Sequence, residues 1–562
     1  MEKKYTIGLD YGSLSGRAVL ADTCDGRIAA EAVMEYPHGI MDSLPLDGSP
    51  LKGQWCLQNP QDYVDVLEDV IPQLLKKSGI DPKAVVGLGV DFTASTVIPL
   101  DKDFKPLSSH EAFSGRPHAW TKLWKHHGAG EQAEKLTNLC REQGLPYLDW
   151  YGGRISVECL MAKVLQVFEE DRDCFEAADC FVEGADYITS LLAGEPVFGG
   201  SIAAAKAMWS REAGYPGDSF FRKLDESLKG LPEKKLIDHF PAGKIGYPGE
   251  QVGRLCPAMA DRLGLLPGIA ISAPQMDGYA AMPGIGMVKP GSLMMIIGTS
   301  TGIMALSREK RKVEGATACL PDTFYPGLWG YASGQASVGD GFEWFIQSCV
   351  PERYAREARK QKMNLHQYLT ELASPLEPGQ TGLIALDWFN GNKSCLGNSR
   401  LSGMLLGLRL QTKPEHIYRA LLEATAFGAR RIKEAYEKAG IVIEEIAACG
   451  GIAGKNPLLM QIYADVLGMP IKVSLCSQAP ALGSAIYAAA AAGQETGYAD
   501  IFEAAKSMGN DQHVMYVPKE ENRLPYDELY QEYCTLHDYF GRGQNRVMER
   551  LSQAGKEKRR PT

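Results

Sequence analysis

Tyr5-Thr6-Ile7-Gly8-Leu9-Asp10-Tyr11-Gly12-Ser13 opens the chain with an apolar run, one carboxylate and a Gly-Ser turn, followed by Ser15, Arg17 and Ala18-Val19-Leu20. This reads as strand, tight turn, strand. Such a turn bares backbone N–H groups and hydroxyls in a concave nest suited to phosphate oxygens. Far along the chain, Leu293-Met294-Met295-Ile296-Ile297 runs into Gly298-Thr299-Ser300-Thr301-Gly302 and then Ile303-Met304-Ala305. One nest is a weak signal. Two of them predict a duplicated, two-lobed α/β protein that grips a nucleotide between its lobes.

The bulk properties fit that reading. A chain of 562 residues is too long for one compact core, so two large domains are expected. The net charge of −10, from 59 basic and 69 acidic residues, argues against nucleic acid or an anionic membrane as the main partner. Thirteen cysteines are scattered without a C-x-x-C pair, as expected of reduced thiols. No signal peptide is visible, and the apolar Ala485 to Ala492 stretch is too short to span a bilayer. A soluble, cytoplasmic protein is the expectation.

Between the nests, helix and strand signals alternate. Asn59-Pro60 places a cap before a first-turn proline, and Tyr63, Val66, Leu67, Val70 and Leu74 follow at helical spacing to Gly79. Pro72 predicts a kink or an early stop. Val85 to Asp91 reads as a buried strand that ends in the polar turn Thr93-Ala94-Ser95-Thr96, the kind of strand end where α/β sheets meet ligands. Later, Pro414 starts a helix ending near Gly440, Ile446 to Cys449 is a strand running into Gly450-Gly451, and Asn456-Pro457 caps a helix stopped by Gly468. Ala481-Leu482-Gly483-Ser484-Ala485 reads as helix packing, with Gly483 allowing close approach. Tyr526 to Leu551 reads as helical with Leu529, Tyr533, Leu536 and Phe540 on one stripe. The basic stretch Lys556 to Arg560 reads as a solvated end. Glycine and proline punctuation at Gly284, Gly286, Pro290 and Gly291 places the boundary near residue 287.

The two nests, together with Phe92-Thr93-Ala94-Ser95, Trp124-Lys125-His126-His127, Ala205 to Trp209, Gln275-Met276-Asp277, Asp387 to Asn392 and Cys449 to Pro457, occur in an order that resembles the FGGY family of carbohydrate kinases. The resemblance runs essentially end to end. It implies the duplicated actin-like, ribonuclease-H-like ATPase fold with an interdomain cleft. Residues 1–286 would form a sugar-binding N-terminal domain and 287–562 an ATP-binding C-terminal domain. The branch it resembles uses ATP and Mg²⁺ to phosphorylate a ketopentose in arabinose catabolism, with the 5-hydroxyl of L-ribulose as the expected target. Self-association is left open.

Carried over position by position, the resemblance makes Asp277 the general base. A carboxylate within reach of the sugar hydroxyl can take its proton as the oxygen attacks phosphorus. Taken alone, Asp277 would read as a turn or helix-cap aspartate. Asp10 would hold Mg²⁺ directly or through water, with Ser13 and Arg17 near the phosphates. Thr93, Ala94, Lys206 and Gln335 would meet the sugar. Gly298, Thr299 and Ser300 would meet the β- and γ-phosphates, and Gly450, Gly451, Gly454 and Asn456 would border the adenosine. One departure stands out: Ala332-Ser333-Gly334-Gln335 replaces the family's Glu-Ala-Gly-Gln, so a carboxylate acceptor for sugar hydroxyls is missing. D-ribulose or a pentitol is the alternative substrate within the family. A chaperone or filament ATPase, or a non-catalytic sugar sensor, is the alternative from another class.

Overall fold

The computed structural model describes residues 3–44, 48–240 and 242–557, so Lys558, Arg559 and Arg560 of the basic end lie outside the described residues. The chain folds into two compact units. The first comprises the chain up to Val288 together with Leu320–Trp329 and Gln478–Asp511. The second comprises Lys289–Cys319, Gly330–Ser477 and the chain from Gln512 onward.

The first unit is built on a sheet whose strands run, edge to edge, Gln251–Arg254, Ala270–Ser272, Val85–Phe92, Tyr5–Tyr11, Ser15–Asp22 and Ile28–Glu35, with Gln275–Met276 also beside Val85–Phe92. Tyr5–Tyr11 pairs antiparallel with Ser15–Asp22 through the opening turn and parallel with Val85–Phe92. The second unit repeats the plan. Its sheet runs Ala318–Pro321, Trp329–Gln335, Thr301–Ser307, Ser292–Ile297, Glu445–Cys449, Ile471–Ser474 and His513–Tyr516. Ser292–Ile297 again pairs antiparallel across its turn and parallel with the next strand, Glu445–Cys449. Each sheet therefore has an antiparallel hairpin feeding a parallel core, with an antiparallel strand closing the far edge. The duplication predicted from the two turns is present in the strand order itself.

The helix Ala479–Ala491 belongs to the first unit and lies on its sheet. A side chain at Gly8 or Gly89 would collide with the carbonyl oxygens of Ala481 or Ser484, and one at Gly87 would come 2.7 Å from that of Ala488. At Gly483 an added Cβ would overlap the carbonyl of Ala280, in the helix Asp277–Gly284. Four glycines thus let helix, sheet and helix approach backbone to backbone, the packing role read for Gly483. The residues between them, Ala481, Leu482, Ala485, Ile486 and Ala488, are buried.

Local signals held in most places. Asn59 accepts a hydrogen bond from the Gln61 amide and Gly79 closes the helix Pro60–Ser78 in the left-handed conformation. Pro72 does not stop that helix. Val70, Ile71 and Leu74 are fully buried around it, and this packing outweighs the one backbone bond that proline forfeits. The C-terminal segment differs more. It forms two helices, Glu520–Gly541 and Val547–Glu557, and the buried stripe of the first is Tyr526, Tyr530, Tyr533 and His537 rather than Leu529, Leu536 and Phe540. Tyrosine wins because its hydroxyl finds polar partners as the ring is buried. Tyr526 accepts from Arg419, and Tyr530 and Tyr533 donate to Glu434 and Asp387. Among the described residues no helix is long and apolar enough to cross a membrane, and no cysteine is in a disulfide.

The close approach at Gly483 gives a test. Gly483→Ala must push two backbones apart and should destabilise the protein by about 3 kcal/mol. Gly130→Ala, at the first position of the helix Gly130–Glu142 with open space around it, should be neutral or slightly stabilising. Urea unfolding of both variants checks this, and equal stabilities would contradict the packing described.

Candidate active site

In the first unit the carboxylates gather where parallel strands end. Asp10 is next to last in its strand and stands in register with Asp91 of the adjacent strand, while Gln275 aligns with Asp91 on the other side. Asp277 then begins the helix Asp277–Gly284, two residues beyond Gln275. Strand register alone therefore brings Asp10, Asp91 and Asp277 to one end of the sheet. Crowding acids out of water is unfavourable for their charged forms. Burial pushes Asp277 up to about 7, and the charge of Asp10 adds to it; the Gly278 amide, Lys206 and Arg17 pull the other way. Burial also raises Asp10, against the pull of Arg17 and a hydrogen bond with Asp91. Burial raises Asp91 well above the usual carboxylate range, with the charges of Asp10 and Asp277 adding to it and the Ser484 hydroxyl opposing it. Ser484, from the helix Ala479–Ala491, donates to Asp91 Oδ2 at 2.5 Å.

The opening turn is held from below. Gln58 donates to the Ser13 carbonyl at 2.7 Å, Tyr63 donates to Gln58, and Tyr36 donates to the Gly12 carbonyl. Trp124 donates its indole N–H to Ser13 Oγ at 2.9 Å, and Arg17 Nε lies 3.5 Å from Asp10. Gly12, Ser13 and Leu14 remain partly or fully exposed above this scaffold. Thr93 and Ala94 follow the strand Val85–Phe92, and Thr93 is linked to Thr96 through their hydroxyls at 2.9 Å. Lys206 ends the helix Gly200–Lys206, with Glu158 3.7 Å from its ammonium. The structure thus brings together Asp10, Ser13, Arg17, Thr93, Ala94, Lys206 and Asp277 on the first unit.

The second unit groups the remaining expected residues. Gly298, Thr299 and Ser300 form the turn after Ser292–Ile297, and Thr299 is exposed. The amides of Val338 and Gly339, which open the helix Gly339–Cys349, donate to the carbonyls of Thr299 and Gly298. Gly450 has φ of 101°, and a Cβ there would come 2.6 Å from the Ile297 carbonyl, so only glycine lets the two turns meet. Gly451 and Gly454 are exposed beside it. Asn456 caps the helix Pro457–Leu467 through the Leu459 amide and reaches the Tyr418 hydroxyl at 3.4 Å, so its side chain is occupied. Gln335 is buried, and its amide hydrogens are committed to Asp387 and to the Thr425 carbonyl. Ala332 has no polar side chain, and its carbonyl accepts from Thr317.

Among the described residues no three metal-ligating side chains form a closed cage. The donor set at Asp10 nonetheless suits Mg²⁺, which takes a carboxylate or two and completes its shell with water and phosphate oxygens. Sequence reasoning gave no site role to Asp91, Ser484 or Trp124. The signal for Asp91 was its place at the end of the same strand as the Thr93 turn.

Comparison with known proteins identifies the family. The N-terminal domain model of the FGGY family of carbohydrate kinases matches residues 5–284 and the C-terminal domain model matches 293–492. The chain belongs to the FGGY family of carbohydrate kinases. It is a carbohydrate kinase, with ATP as its co-substrate. Among its relatives, a ribulokinase of Halalkalibacterium halodurans is 46% identical over 564 residues, covering 100% of this chain and 99% of the relative. A ribulokinase of Anoxybacillus flavithermus is 45% identical over 553 residues, covering 98% and 97%. A xylulose kinase structure from Rhodospirillum rubrum superposes with a TM-score of 0.76 at 21% identity, covering 95% of this chain and 98% of that one. That likeness bears on the fold, the duplicated actin-like ATPase fold that the family resemblance implies.

The raised pKa of Asp277 has a consequence for stability. The folded chain holds this proton up to about pH 7, whereas an unfolded aspartate releases it near 3.9. Stability is therefore lost as pH rises between those values. Asp277→Asn, which has no charge to bury, should melt above the wild type at pH 8, with the difference shrinking towards pH 5. Thermal melts across that range check it; a difference independent of pH would reject the burial argument.

Proposed function

We propose that the chain transfers the γ-phosphoryl group of ATP to the 5-hydroxyl of L-ribulose, as a step of arabinose breakdown in the cytoplasm. The observation that carries this reading is the end-to-end likeness to ribulokinases at 45–46% identity. The sugar lies on the first unit, with Thr93 and Ala94 offering backbone groups and Lys206 orienting a hydroxyl. Asp277 accepts the hydroxyl proton as the sugar oxygen bonds to the γ-phosphorus and the bond to the β,γ-bridging oxygen breaks, releasing ADP. A carboxylate held near pKa 7 is matched to that task at neutral pH. The Gly298–Ser300 turn meets the β- and γ-phosphates, and Gly450, Gly451, Gly454 and Asn456 border the adenosine. Ser13 and Arg17 face the phosphates. Asp10 is the residue that would hold Mg²⁺, whose role when bound is to neutralise phosphate charge.

A second reading, phosphorylation of D-ribulose or a pentitol, draws support from Ala332. Without a carboxylate there, discrimination between hydroxyl orientations loses one acceptor.

An assay coupling ADP release to NADH oxidation across L-ribulose, D-ribulose, xylulose, ribitol and glycerol tests both readings. ADP release should depend on a ketopentose, with L-ribulose giving the highest kcat/KM. Sugar-independent hydrolysis at the same rate would overturn the kinase reading. Asp277→Asn should lower kcat by about 10³-fold. For the wild type, kcat/KM for the sugar should rise with pH through about 7 as the base loses its proton, then level off.

A further inference from the structure

Lys163 is fully buried in the helix Leu160–Glu170, the one charged residue in its apolar run Leu160 to Val167. Among the described residues its ammonium lies in no ion pair. It donates instead to three carbonyl oxygens, those of Ser95 at 2.5 Å, Leu123 at 2.9 Å and Lys122 at 3.4 Å. Glu183 ends the strand Cys180–Glu183 and is also buried. Its Oε2 accepts from the Thr96 amide at 3.0 Å, and the strand Val97–Leu100 pairs with Glu183 through Val97. The turn Thr93–Thr96 is therefore gripped twice, at the Ser95 carbonyl by a cation and at the Thr96 amide by a carboxylate.

The turn needs such a grip. Ser95 has φ of 62°, in the left-handed region that a serine enters at a cost. Its carbonyl is the atom that faces the ammonium. Lys163 also fixes the Leu123 carbonyl, immediately before Trp124, whose indole holds Ser13. One buried side chain thus ties the Thr93 turn to the segment that supports the opening phosphate turn. Burial draws the Lys163 pKa down and pushes that of Glu183 up, and the main force opposing each shift is the charge of the other. A solely apolar helix and strand would pack here without either charge, so the pair has the character of a device that sets a backbone shape.

We propose that Lys163 and Glu183 are a buried pair of positioning residues that fix the Thr93–Thr96 turn in its sugar-binding shape. This rests on the reading, given above, that the turn meets the sugar. Neither residue touches substrate; both act through backbone atoms of the turn.

The experiment measures KM for ribulose, KM for ATP and kcat in Lys163→Met, Glu183→Gln, the double variant and Ala94→Val. Glu183→Gln keeps the shape of the side chain and serves should Lys163→Met fail to fold. Ala94→Val probes the turn directly. If the proposal holds, Lys163→Met and Glu183→Gln each raise KM for ribulose about tenfold, with KM for ATP within about twofold of wild type. The double variant should then be little worse than either single one, because the pair acts as a unit. If Ala94→Val raises KM for ribulose while both pair variants leave it unchanged, or weaken ribulose and ATP alike, the proposal is overturned and the sugar assignment stands. If Ala94→Val leaves KM for ribulose unchanged, the sugar assignment of the turn fails and takes the proposal with it.

Discussion

The first unit depends on a backbone-to-backbone approach. Gly8, Gly87 and Gly89 strip side chains from one face of the sheet, and the helix Ala479–Ala491 fills the space. No larger residue could replace them without prising the layers apart, since the neighbouring atoms are carbonyl oxygens in regular elements and cannot rotate away. The consequence reaches the chemistry. Only at this separation does Ser484 come within hydrogen-bond distance of Asp91, and Asp91 in turn sits in register with Asp10. Packing glycines and reacting acids are parts of one arrangement.

That arrangement places three carboxyl groups where isolated charges would be costly. Each solves the problem differently. Asp91 receives a serine hydroxyl, Asp10 lies beside Arg17, and Asp277 takes the Gly278 amide and is poised to gain or lose a proton near neutrality. The separation of roles follows from depth, since Asp91 is wholly enclosed while Asp277 keeps partial access to solvent. A set of like acids becomes a functional site when its environment drives their proton affinities apart.

Much of this was legible in the sequence because it depended on short-range signals. The two turns, the caps at Asn59 and Asn456, the stops at Gly79 and Gly468, and the emergence of Asp277 after a strand all follow from neighbours along the chain. What escaped depends on distant residues. Asp91 looked like a strand-end aspartate until register set it against Asp10. The tyrosine stripe of Glu520–Gly541 was hidden because leucine and phenylalanine match the helical period equally well, and only hydrogen-bond acceptors on other elements, such as Asp387 and Glu434, distinguish them. Gln335 followed a family motif, but its amide is spent inside the second unit on Asp387 and Thr425. Lys163 did leave a trace, a lone charge within an apolar helix, which periodicity alone does not interpret.

The late return of Gln478–Asp511 to the first unit also bears on how the molecule is made. A ribosome delivers the sheet strands Tyr5–Tyr11 and Val85–Phe92 long before the helix that covers their glycine face. During that interval the second unit's chain is being synthesised while the first lobe waits with a bare, apolar surface. Vectorial synthesis therefore cannot complete the first unit until most of the second has been made, and the nascent protein carries a period of exposure in which holdase chaperones or premature association compete with folding.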